Sequence, residues 1–288
     1  METEHYKKTT LKVTIVIAAK KKILKMAEDV CRDGRYIYYS YNGGGVSMGL
    51  KRYDTKTGKK KDIKKMGKHG GEGYNYIQIK GKYIYVEGAF ANGSDGQINY
   101  IYRMTKDGKK KKRLAKGRSP ILIGSYIYYM KTYYDKEMGI DYDTNVIYRM
   151  KLDGTGKKVV KKLSKSTYVE SLARCDNKPV YLSGGYWATE CHSMNGRKID
   201  NTAFEVDWNL SRCYSEESGL TVADAKEGNY KYYTNKKANT LYRKNVKTGK
   251  VNKVMTCKGK ESIGHFRIYG AHVMVNTSSW TAAKKGGK

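Results

Sequence analysis

A segment of about 47 residues recurs six times along the chain, and each copy reads as strand, short turn, strand, loop, strand, glycine turn, strand. The period is plainest in Tyr83-Ile84-Tyr85 followed by Ile101-Tyr102-Arg103-Met104-Thr105-Lys106-Asp107-Gly108. It returns in Tyr126-Ile127-Tyr128-Tyr129 followed by Ile147-Tyr148-Arg149-Met150-Lys151-Leu152-Asp153-Gly154. Second strands starting at residues 36, 83, 126, 179, 230 and 272 lie 47, 43, 53, 51 and 42 residues apart.

A four-stranded unit at this spacing predicts an all-β chain, a six-bladed β-propeller with antiparallel blades. A helical array of similar period needs long Ala- and Leu-rich segments with a repeat of 3.6. Here short alternating runs of Tyr, Ile and Val are broken by Gly, and 28 tyrosines supply most of the aromatic content. Such residues suit a pleated, half-buried surface. A ring of blades is one cooperative unit, so residues 1–288 are expected to form a single domain. The last copy, from about Gly264, lacks its third and fourth strands. Val13–Ala19 and Lys22–Lys25, within a closing segment of about 11–26, align with those two strands and would complete the final blade. The competing reading of Leu11–Ala19 is the apolar core of a secretory signal, and the run is too short to span a membrane. Residues 281–288 read as a basic tail.

The net charge is +31, from 58 Lys plus Arg against 27 Asp plus Glu, and the excess follows the repeat. Lysines gather at the turn between third and fourth strands and along the fourth strand, among them Lys59, Lys60, Lys61, Lys109, Lys110, Lys111, Lys112, Lys157 and Lys158. Turns of that kind share one face of a propeller, so these lysines are expected to ring it and to attract anionic polymers such as teichoic acid or acidic glycan. Nucleic acid is the less favoured polyanion, because arginine and interleaved aromatics for base stacking are not evident there. The plainer account is that lysine on outer strands prevents edge-to-edge association.

An Asp-Gly, Thr-Gly or Asn-Gly pair between strands supplies the positive φ of a tight hairpin, at Gly58, Gly108, Gly154, Gly196 and Gly249. The run Arg149-Met150-Lys151-Leu152-Asp153-Gly154 resembles the corresponding turn of propellers of the low-density-lipoprotein-receptor type. Tyr232-Tyr233-Thr234-Asn235 is the nearest match to the Tyr-Trp-Thr-Asp tetrapeptide of that family. The tyrosine-rich version also looks like propeller domains of secreted or surface-attached Gram-positive bacterial proteins. The resemblance covers nearly the whole chain and implies an extracellular module that binds partners. The departure is that the tetrapeptide's aspartate is absent from every copy, with Ser40, Glu87, Ser183 and Asn235 near its place. A polar tie between blades through that aspartate is therefore not expected.

Loops between second and third strands differ most among copies, which is where recognition is usually built on a rigid scaffold. The longest, Lys131–Asn145, carries Tyr133, Tyr134, Asp135, Asp141, Tyr142 and Asp143, a set suited to a sugar ring, a cationic peptide or calcium. Asp141-Tyr142-Asp143 lacks the glycine and glutamate that complete a calcium loop, so no metal is assigned. Trp208, in the alternating stretch 200–220, is a candidate partner anchor or a packing residue. A hydrolase reading needs groups converging on the axis, where Glu170, Asp224 and His265 are the candidates. No catalytic or cofactor-binding signature is present. The five cysteines, Cys31, Cys175, Cys191, Cys213 and Cys257, lack metal-ligand spacing and read as small buried residues. The sequence thus supports a non-catalytic module recognising a protein or glycan, with polyanion binding on the lysine face or axial hydrolysis as alternatives.

Overall fold

A computed structural model of the protein describes residues 21–26, 29–42, 48–65, 73–92, 96–137, 140–167, 169–175, 178–183, 190–199 and 225–279. These residues form strands and turns, with no helix among them and hence none long and apolar enough to cross a membrane. Strand β1 (Lys22–Lys25) precedes a first sheet of β2 (Val30–Asp33), β3 (Tyr36–Asn42), β4 (Met48–Asp54) and β5 (Lys60–Lys64). The second sheet contains β6 (Gly73–Lys80), β7 (Tyr83–Asn92), β8 (Gly96–Thr105) and β9 (Lys112–Lys116). The third contains β10 (Arg118–Ile123), β11 (Tyr126–Asp135), β12 (Ile140–Lys151) and β13 (Lys158–Lys162). In the fourth are β14 (Val169–Cys175), β15 (Lys178–Ser183), β16 (Glu190–Ser193) and β17 (Lys198–Ile199). The fifth holds β18 (Ala225–Glu227), β19 (Tyr230–Thr234), β20 (Thr240–Asn245) and β21 (Val251–Thr256). Finally β22 (Glu261–Tyr269) and β23 (His272–Ser279) pair with each other and with β1.

Each four-stranded sheet is an antiparallel meander in sequence order, the organisation of a propeller blade. Second strands begin within one residue of every expected position. Among the described residues, apolar layers join five pairs of neighbouring sheets, while the remaining cluster, Ala173, Val180, Leu182 and Cys191, lies within the fourth sheet alone. Leu50 and Ile63 pack with Tyr74, Ile77 and Met104; Ile101 and Leu114 pack with Leu122, Ile127 and Met150. Met130 and Ile147 meet Val169 and Leu172, while Tyr232 and Leu241 meet Ile263, Phe266 and Val273. A further layer joins Leu24 and Met274 to Val30, Ile37 and Tyr53, so the two ends of the chain pack across one interface. Burying each such aliphatic side chain contributes on the order of 1.5–3 kcal/mol. Residues 200–224, with the expected strand pattern around Trp208, lie outside the described residues.

The first tyrosine of the second strand is held by an arginine. In four sheets the arginine on the third strand lies over the first tyrosine of the second: Arg52 over Tyr36, Arg103 over Tyr83, Arg149 over Tyr126 and Arg243 over Tyr230, at 4.5, 4.4, 4.6 and 5.1 Å from the ring centre. Register explains the recurrence, since Tyr85 stands opposite Arg103 and Tyr128 opposite Arg149, which sets each arginine diagonal to the tyrosine two residues earlier.

The closing segment differs from expectation in one respect. β1 pairs directly with β23, parallel, with Lys22 opposite His272 and Lys25 opposite Val275. Its direction is that of a fourth strand, because two hairpin reversals bring the chain parallel to the second strand again. Its position beside β23 is a third strand's, and Val13–Ala19, expected there, lies outside the described residues. Cys31, Cys191 and Cys257 form no disulfide, and of the three only Cys191 is buried, the other two being half-buried.

Candidate functional site

The chain between second and third strands is less loop-like than the sequence suggested. β11 and β12 stay paired to Asp135 opposite Ile140, whereas β10 pairs with β11 only as far as Met130 and β13 with β12 only from Val146. Thr132–Asp135 and Ile140–Asp143 therefore form a two-stranded ribbon projecting beyond the sheet. Strand formation follows from alternation, with Thr132 buried and Tyr133 exposed on opposite faces. β7 and β8 likewise stay paired to Asn92 opposite Gly96.

The ribbon sorts the expected ligand residues onto two faces. Tyr133 and Tyr142 stand opposite each other and stack at 5.6 Å and 25°, with Tyr133 49% exposed. Tyr134 lies under the ammonium of Lys116 at 4.9 Å, and the Asp135 carboxylate accepts the Glu137 N–H at 2.9 Å to fix the turn. Asp143, next to Tyr142 and so on the other face, is gripped by Arg118. Arg118 Nε and Nη2 donate to the two carboxylate oxygens at 2.7 and 2.5 Å. Asp141 stands opposite Tyr134 in the register, its side chain outside the description, as is all of Trp208.

Beneath the ribbon lies a polar cluster that sequence reasoning did not find. Arg118 also donates to the carbonyls of Glu170 at 2.7 Å and Val169 at 2.6 Å, bridging third and fourth sheets. Register shifts in β6 and β10 put Tyr76 and Ser119 in the left-handed region, with φ of 52° and 51°. Each turns its N–H toward the preceding sheet. Ser119 N–H donates to Glu87 Oε2 at 2.6 Å, and Tyr76 N–H donates to the carboxylate of Asp29. Ser40 in turn accepts the Asp29 N–H at 2.8 Å, and the Ser119 hydroxyl donates to that of Tyr76 at 3.1 Å. Polar ties between sheets are thus made without the tetrapeptide's aspartate, by Glu87 at one of its positions and by Asp29, which Ser40 holds, at another.

Burial pushes Glu87 up to about 7; the Ser119 N–H and Arg118 favour its charged form, while Asp29 and Asp143 oppose it. Burial likewise holds the Tyr76 phenol above its ordinary range, helped by Glu87. A carboxyl whose folded pKa exceeds its unfolded value of 4.5 keeps its proton longer in the fold, so its contribution is fully present below pH 4.5 and falls as pH rises toward 7. Unfolding free energy is expected to drop by about 2–3 kcal/mol across that window. Glu87→Gln should flatten the drop in denaturant titrations at several pH values; an unchanged slope would assign it to other groups.

Of the lysines marked in the sequence, Lys59, Lys60, Lys61, Lys109, Lys110, Lys112, Lys157 and Lys158 are exposed. Lys111 departs from the rim: its ammonium donates to the Tyr74 hydroxyl at 3.1 Å and lies 4.1 Å from the Tyr102 ring centre and 5.5 Å from that of Phe90. Glu170 is the second residue of β14, its carbonyl bonded by Arg118; Asp224 and the His265 side chain fall outside the description. Among the described residues, no three His, Cys, Asp or Glu side chains are grouped to hold a metal ion.

No protein-family model matches the chain, and no curated protein matches it. Among solved structures it is similar to the nidogen/laminin complex at 15% identity, over 91% of this chain and 87% of that one, with a TM-score of 0.40. A prolyl endopeptidase structure is similar at 11% identity over 85% of this chain and 37% of that one, with a TM-score of 0.40. An oligogalacturonate lyase in complex with manganese is similar at 12% identity over 83% and 65%, with a TM-score of 0.38. Likenesses of this size assign neither a ligand nor a reaction.

Proposed function

We propose that the chain is one six-bladed propeller domain closed by its N-terminal segment, and a non-catalytic binding module that presents the Tyr133/Tyr142 face to a glycan or protein ligand. The observation that carries this reading is the stacked tyrosine pair, Tyr133 exposed and Tyr142 half-buried, on a ribbon whose opposite face is anchored through Asp143. Two stacked phenol rings offer apolar surface edged with hydroxyls, which suits the CH face of a sugar ring or an apolar side chain. Arg118 and the β11–β12 pairing fix that platform before binding, which lowers the ordering cost of recognition. Closure of the ring is supported by the β1–β23 pairing and by the apolar layer that Leu24 and Met274 share with Val30 and Tyr53. An extracellular or cell-surface setting follows from the receptor-like resemblance and belongs to the same reading.

The test is a binding screen over neutral oligosaccharides and extracellular glycoproteins with wild type, Tyr133→Ser and Tyr142→Ser. Each substitution should weaken binding by about tenfold, the equivalent of about 1.4 kcal/mol, with little dependence on salt. Capture that survives both substitutions, or no capture by the wild type, would remove the reading.

A further inference from the structure

The end of the molecule opposite the ribbon carries a second surface. Antiparallel order places the turns between third and fourth strands at the other end of each sheet from the β11–β12 ribbon. Four of these turns lie against the outer part of the preceding sheet, whereas the turn at Gly249 has nothing within 4 Å of an added Cβ. A Cβ on Gly108 would fall 2.3 Å from the Ile63 carbonyl oxygen of β5, and one on Gly154 would fall 3.0 Å from Leu114 of β9. At Gly196 the neighbour is Lys161 of β13, at 3.5 Å, and at Gly58 it is Lys22 of β1, at 3.2 Å. Turn and strand therefore alternate without a break across four junctions, and the exposed lysines of one element continue into those of the next.

Little neutralises them locally. Among the described residues, Lys59, Lys110 and Lys157 make no ion pair, and the nearby turn acids Asp54, Asp107 and Asp153 spend carboxylate oxygens on the backbone N–H groups of Lys56, Lys109 and Thr155. Aromatic rings at this end are already covered, Tyr36, Tyr83 and Tyr126 each lying beneath an arginine. A nucleobase would find no uncovered ring among these three, whereas an oxyanion needs only the ammonium groups.

We infer that this continuous lysine track binds a linear, base-free polyanion with closely spaced phosphate or sulfate groups, laid along the rim across successive sheets. The surface is distinct from the tyrosine ribbon and its occupancy does not depend on the ligand proposed for it. Affinity should come from many weak contacts along one polymer, so it should grow with polymer length and fall steeply with salt.

The experiment compares long-chain inorganic polyphosphate and heparin with tripolyphosphate and single-stranded oligothymidine, by titration at two salt concentrations. Two triple variants of equal net charge are used: Lys59→Glu/Lys110→Glu/Lys157→Glu on the track, and Lys136→Glu/Lys165→Glu/Lys237→Glu at the opposite end. The track variant should bind the long probes at least about tenfold more weakly, with a shallower salt slope, and the control should stay within about twofold of wild type. Denaturation midpoints of both variants establish that they are folded. Binding of either long probe supports the track, and the tighter one names its oxyanion. Equal loss in both variants would reduce the effect to net charge, tripolyphosphate binding as tight as the long chain would reduce it to a local site, and tighter oligothymidine binding would overturn the base-free assignment.

Discussion

Arg118→Met is expected to cost about 3–4 kcal/mol of stability, among the largest losses available from a single polar side chain in this protein. The guanidinium sits in one place and serves three elements: the carboxylate of Asp143 on β12 and the carbonyls of Val169 and Glu170 at the start of β14. Removing it leaves a partly buried carboxylate without its cation and two carbonyls without that donor, and the desolvation of those groups is what costs free energy. Some of the loss is moderated because the two side chains retain 21% and 26% exposure. The double variant Arg118→Met/Asp143→Asn should therefore be more stable than Arg118→Met alone, since no unpaired charge remains. Urea titrations of the four proteins in the cycle measure this directly. A loss under about 1 kcal/mol for the single variant would mean that the third and fourth sheets are held by their apolar layer alone. Hydrogen exchange across 132–143 provides a second reading, because the ribbon's base should open more readily once Asp143 is released.

That dependence explains why the candidate site was only half legible in the sequence. Second strands, their tyrosines and the glycine turns announce themselves through local spacing, and a hairpin needs only neighbours a few residues apart. Arg118, by contrast, meets partners 25, 51 and 52 residues away, and no periodic pattern marks an arginine that sits at a register shift. Glu87 was visible as a departure from the family tetrapeptide, but its partner is a backbone N–H made available by the positive φ of Ser119, which a sequence does not display. The ribbon did leave a signal. Tyr133 and Tyr142 lie symmetrically about the Asp135–Ile140 pair, as cross-strand partners must, yet the lysine, glycine and aspartates between Lys131 and Asn145 read as a loop. Period two then places neighbours on opposite faces, which separates Asp143 from the tyrosines it seemed to assist.

The lysines present the reverse case. Their exposure was evident from the repeat, while their continuity depends on how one sheet seats upon the next, and a single position controls that seating most tightly. Gly108 has φ of 83°, where a side chain already costs about 1–2 kcal/mol, and its missing Cβ is the space occupied by the Ile63 carbonyl of the first sheet. Gly108→Ala should thus cost about 3–4 kcal/mol, because the turn Thr105–Gly108 must lift off β5 as well as bear the backbone strain. Gly34→Ala isolates the strain, since Gly34 has φ of 55° but nothing within 4 Å of an added Cβ; it should cost about 1 kcal/mol. The difference between the two midpoints measures the contact between sheets rather than the turn. Equal losses would mean that the second sheet does not rest on the first at this point, and the unbroken path of lysines across that junction would lose its structural basis.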